Sequence, residues 1–137
     1  FLDASHDLLV YISRLAWLNA ELDGDVKGRR AELLSDKNPH KKLPAIEYFP
    51  YVINYLLEIG LYSSNGMGMT PVSWIDIQTW SQLTGTELTP NEARLIRKLS
   101  FIYVSQYNAS KDIKCEAPYP DQDYVERFKA EQRSQKK

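Results

Sequence analysis

A chain of 137 residues with 43% hydrophobic and 12% aromatic residues, nine of them tyrosine, is long enough to bury one real core and too short for two comfortable ones. That composition argues against disorder, and a net charge of −1 with a pI near 6.2 removes any long-range pull toward nucleic acid or anionic membrane. No apolar run reaches a membrane span and no signal peptide is recognisable, so a soluble protein of a cytoplasm is expected; the lone Cys115 fits a reducing compartment.

From Ser5 to Leu22 the apolar residues Leu8, Tyr11, Ile12, Leu15, Leu18 and Leu22, with Trp17 beside them, fall on one stripe of an amphipathic helix. Ser5 is the expected cap, and Asp23-Gly24-Asp25 the expected stop. A short second helix is expected from Val26 to Leu34, then a polar loop from Ser35 to Leu43. Asp23 to Gly28 has acids at positions 1 and 3 and glycine at position 6 of a calcium loop. It lacks the rest of the ligand set, because Lys27 holds position 5 and Leu34 stands where a bidentate Glu is needed.

Pro44 and Pro50 limit where the third helix can begin, since the residue before a proline avoids the helical region. From Pro50 to Tyr62 the side chains of Val52, Tyr55, Leu56, Ile59 and Tyr62 are expected on one face, with Gly60 weakening the last turn. Ser63 to Thr70 reads as a mobile loop whose Met67 and Met69 are adaptable contacts. Asn65 to Gly68 has neither the Lys nor the Ser/Thr of a phosphate loop.

Two helix starts then follow in the same chemical grammar. Ser73 and Asp76 form one capping box, flanked by a Val72–Ile77 hydrophobic staple; Thr89 and Glu92 form another, with Pro90 at the first helical position. Gly85 suits the left-handed residue that ends the first of these helices. The helix from Trp74 to Leu83 is short and needs Trp74, Ile77 and Trp80 to pack. At least two of Trp17, Trp74 and Trp80 are expected in the core. The helix from Pro90 to Asn108 carries a stripe of Ala93, Ile96, Leu99, Tyr103 and Tyr107, widened by Leu95, Phe101 and Ile102. After a loop from Ala109 to Asp121, a terminal helix is expected from Tyr124 to Gln135. No useful strand alternation occurs, so the expected fold is all-α: a single compact domain of four to six helices with a helix-turn-helix at about 73–108.

His6, His40 and Cys115 lie far apart in sequence, without the close pairing of a zinc site, and read as surface histidines and a buried or idle thiol. No catalytic, cofactor or metal residues are assigned, and no enzyme is expected. The helix-turn-helix, with Arg94, Arg97 and Lys98 near the start of its second helix, raises an alternative reading as a DNA-binding regulator. Against it stand a first helix without a basic residue and a slightly acidic chain.

The segment from Asn65 to Leu99 also resembles the tail assembly chaperones of long-tailed bacteriophages. The likeness rests on Gly66, Gly68, Pro71-Val72-Ser73, Ile77, Trp80, Leu83-Thr84-Gly85, Leu88-Thr89-Pro90, Glu92, Ile96, Leu99 and Tyr103, and extends to residues 44–107. It implies a protein that coats the tape-measure protein during tail assembly in the host cytoplasm, recruits tail-tube subunits and leaves before the virion is complete. The matching part of that family is the downstream, tail-tube-recruiting domain, often joined to an upstream one by a programmed frameshift; opening on Phe1 instead of Met is compatible with that origin. Residues 1–43 depart from the pattern and are set apart as an N-terminal helical segment, 44–120 as the chaperone-like core and 121–137 as a C-terminal helix or tail. The partner-binding residues expected are Met67, Met69, Trp74, Arg94, Arg97 and Lys98, with self-association as a further expectation. A structural tail or connector protein retained in the virion is the other alternative.

Overall fold

The computed structural model describes residues 2–24, 28–46 and 48–119, with side chains from His6 onward. Its elements are α1 (Leu2–Asn19), α2 (Arg30–Leu33), a 3-10 turn (Pro39–Lys41), α3 (Pro50–Ile59), a hairpin of β1 (Ser63–Ser64) and β2 (Met69–Thr70), α4 (Trp74–Thr84) and α5 (Pro90–Ala109). The all-α, few-helix architecture is therefore as expected. The terminal helix proposed for 124–135 lies outside the described residues.

The longest described helices, α1 and α5, pack along each other, and α3 and α4 also contact α5. Leu8, Ile12 and Ala16 of α1 recur every four residues and meet Leu95, Ile96, Leu99 and Tyr103 of α5 and Val52, Ile53 and Leu56 of α3 in one cluster. Val72 and Ile77, the staple of α4, complete it. Burying a side chain such as Leu99 or Ile96 contributes about 1.5–3 kcal/mol, so α5 is the element on which the others depend. α1 shares this core, and the packing is not interrupted at the 43/44 boundary.

Both capping boxes form. Ser73 Oγ accepts from Asp76 N at 3.0 Å while Asp76 Oδ2 accepts from Ser73 N at 3.1 Å; Thr89 Oγ1 accepts from Glu92 N at 3.1 Å and Glu92 Oε1 from Thr89 N at 2.9 Å. Gly85 ends α4 with φ 68°, in the left-handed region.

Several expectations require correction. α1 starts at Leu2, so Ser5 is inside the helix and is not its cap, and it stops at Asn19, before Leu22. The chain then folds back on itself: Leu22 N donates to Gly28 O, Arg30 N donates to Ala20 O, and Glu21 bridges Arg29. The reversal buries Leu22 without any further turn of helix. Val26 and Lys27, where a second helix was expected to start, lie outside the described residues; α2 is a single turn at Arg30–Leu33. Arg30 anchors it, with its guanidinium 4.6 Å from the Trp17 ring centroid and donating to Trp17 O and Asp112 O. His40 is buried edge-on to Trp17 and is not a surface histidine. Of the three tryptophans only Trp17 is in the core; Trp80 is half-buried against the Tyr55 ring and Trp74 is 51% exposed. Phe101 is 59% exposed among the described residues, so it does not widen the buried stripe of α5. Tyr62 lies beyond the end of α3 and stacks on Tyr103, with centroids 6.2 Å apart and rings 1° from parallel.

Candidate partner-binding site

The segment 63–70 is a small antiparallel hairpin, with Ser63 paired to Thr70 and Ser64 to Met69. Its loop is closed locally by Asn65, whose Oδ1 accepts from Met67 N at 3.0 Å. Two residues per strand are too few to hold a hairpin in water, so its position depends on what grips it. Ser63 Oγ donates to Asp76 Oδ2 at 2.8 Å, which ties β1 to the first turn of α4. Behind it Ser100 Oγ of α5, fully buried, accepts from Val72 N at 2.9 Å and donates to Leu61 O at 2.8 Å. One hydroxyl thus fastens the chain just before β1 and just after β2.

This clamp sets Met67, 95% exposed, at the rim of a cleft of about 490 Å³ lined by Glu21, Leu22, Asp23, Met67, Gly68, Met69, Tyr107, Asn108 and Lys111. The volume is that of ordinary ligand clefts, about 300–1,000 Å³. Tyr107 of this lining ends a row of tyrosines, Tyr62, Tyr103 and Tyr107, whose adjacent centroids are 6.2 and 6.0 Å apart. Asn19 of α1 holds the Tyr103 hydroxyl, and burial raises the Tyr103 pKa. Lys111 Nζ lies 5.9 Å from the Tyr107 ring centroid. Across the cleft Asp23 N donates to Lys111 O at 2.9 Å, fixing the acidic turn against the end of α5.

Of the residues expected from the sequence, Met67 and Met69 share this cleft, whereas Trp74, Arg94, Arg97 and Lys98 are not among its described lining. Trp74 and Arg97 pair with each other, guanidinium to ring centroid 5.3 Å. Arg94 turns back to Asn91 Oδ1 at 3.2 Å, and Lys98 is exposed. Sequence reasoning missed Glu21, Asp23, Tyr107 and Lys111. Their distance along the chain from Met67 hid them; the closest signal was the unusual number of tyrosines.

A second aromatic strip crosses α3 and α4 on another face: Phe49, Tyr51, Tyr55 and Trp80, with successive centroids 6.2, 5.4 and 5.0 Å apart. Phe49 holds φ 57°, uncommon for a bulky residue, immediately before Pro50. The Tyr51 hydroxyl bonds Glu92, which raises the Tyr51 pKa, while Thr89 N and then Tyr51 lower that of Glu92.

Among the described residues no group of three or more His, Cys, Asp or Glu is placed to hold a metal ion, and no helix is long and apolar enough to cross a membrane. No protein-family model, curated protein or solved structure matches the chain.

Proposed function

We propose that this chain is a non-catalytic partner-binding domain that serves as a tail assembly chaperone of a long-tailed bacteriophage, engaging tail-tube or tape-measure protein in the host cytoplasm during tail morphogenesis. The observation that carries the binding reading is the exposed Met67 tip, held at a cleft that Met69 and Tyr107 also line, on a hairpin clamped at Ser100 and Asp76. Exposed thioethers adapt to a partner's shape, and loops on rigid scaffolds commonly carry contacts. The partner's identity comes from the sequence resemblance, whose capped helices and glycine turn build that scaffold.

The decisive experiment is retrieval of partners by the tagged chain from phage-infected cells, followed by titration with purified tube and tape-measure proteins. Met67→Ser with Met69→Ser is expected to weaken that binding about tenfold or more, as loss of contact residues at an interface does, while the melting temperature changes little. Failure to bind either protein refutes the chaperone assignment. Presence of the chain in purified virions would assign it to the particle instead, and salt-dependent duplex binding would assign it to DNA.

A further inference from the structure

We infer that the methionine cleft selects a cationic side chain, an arginine or lysine carried on an apolar stretch of the partner polypeptide; this deepens the partner-binding reading above and rests on it. The apolar part of the recognition comes from Met67, Met69 and the Tyr107 ring, on a floor that includes buried Leu22. Thioethers and aromatic rings accept apolar side chains of varied shape, so they favour a hydrophobic segment without specifying its sequence.

Charge supplies the selectivity. Glu21 and Asp23 are both exposed on the cleft wall, on a turn whose backbone is fixed by the Glu21–Arg29 bridge and by the bond from Asp23 N to Lys111 O. The C-terminal end of α5 opens at the same place, through Tyr107 and Asn108, and a helix C-terminus carries about half a negative charge. Asn108 adds a side-chain acceptor. Against these stands one cation among the described lining residues, Lys111, drawn over the Tyr107 ring at 5.9 Å. An incoming guanidinium or ammonium can pair with the two carboxylates and compete for the same ring face. A phosphate-bearing partner meets two carboxylates and a helix C-terminus, so nucleic acid is the wrong chemistry for this cleft.

The test uses the full chain and two fluorescein-labelled amphipathic peptides of equal length, one of Leu and Arg, the other of Leu and Glu, titrated by fluorescence anisotropy at low salt. The Leu/Arg peptide should bind at least about tenfold tighter than the Leu/Glu peptide, and added salt should erode the difference. Glu21→Gln with Asp23→Asn should weaken the Leu/Arg peptide about five- to tenfold, as loss of two exposed charge pairs predicts, with the melting temperature retained. Lys111→Ala should tighten it, since a competing cation is removed. Equal affinity for the two peptides, or an unchanged affinity in the Gln/Asn double variant, overturns the inference. So does concentration-dependent self-association abolished by the same double variant, which would make a second copy the occupant. Full binding of tube or tape-measure protein by the double variant, with loss in the methionine variant, would refute charge selection and leave the chaperone reading intact; loss in neither would remove the cleft from both.

Discussion

Ser100→Ala is the most informative single perturbation, because one buried oxygen holds both ends of the hairpin that carries the methionines. Its removal takes away the acceptor of Val72 N and the donor to Leu61 O, at 2.9 and 2.8 Å. Val72 is 1% exposed, so its amide finds no water in compensation, and an orphaned buried donor costs about 1–3 kcal/mol. Leu61 is half-buried and its carbonyl can recover solvent, which limits that loss to about 0.5–1.5 kcal/mol. Only an oxygen is deleted, so the cavity left behind adds little. The sum is about 1.5–4.5 kcal/mol. For a chain of this size that lowers the melting temperature by about 10 °C. Thermal and urea unfolding followed by circular dichroism measure it, and hydrogen exchange at the Val72 amide should accelerate, since the bond protecting it is gone. A melting temperature within about 2 °C of the parent, with an unchanged Val72 exchange rate, would refute the clamp.

Ser73→Ala and Thr89→Ala should each destabilise the fold by about 1 kcal/mol in urea titrations, because each removes the acceptor for an otherwise unpaired first-turn amide; an unmoved midpoint would contradict the assigned cap. Gly85→Val should cost about 1–2 kcal/mol and Gly85→Asn less, both by backbone conformation alone, since nothing lies within 4 Å of an added Cβ; a Val variant as stable as the parent would count against the left-handed stop. Stability should also fall on acidification. Ser63, followed by Ser73, lowers the pKa of Asp76 from its ordinary 3.8, and Thr89 N, followed by Tyr51, lowers that of Glu92 from 4.5. Their contribution is therefore complete above those ordinary values and is lost as pH falls through the lower folded-state values. Asp76→Asn with Glu92→Gln should flatten the acid limb of the stability–pH curve below about pH 4.5, and an unaltered limb would show that other carboxylates govern it.

α4 and α5 were legible because their signals are short-range. Ser73 with Asp76, Thr89 with Glu92, and Gly85 after Thr84 act across three residues or fewer, so no distant partner is needed to form them. The stripe Ile96, Leu99, Tyr103 was equally readable, since a 3.6-residue period expresses itself before any neighbour is known. The exposure of Trp74 was not. Trp17 and Trp74 are both apolar aromatics on helices, yet Trp17 is surrounded by Arg30, His40 and the Cys115 carbonyl while Trp74 stays 51% exposed with Arg97 over its ring. Nor could the hairpin be read, because Ser63, Ser64, Met69 and Thr70 have no strand alternation of their own and are ordered by a serine from α5 and an aspartate from α4. Ser100 reads in sequence as one more polar residue on a helix; its role exists only where α5 passes behind Leu61 and Val72. The cleft likewise joins Glu21 and Asp23 to Met67 and Lys111, residues separated by up to 90 positions along the chain. Local chemistry determined where α4 and α5 begin and where α4 ends, and only the packing of α1 against α5 decided which side chains meet at the methionines.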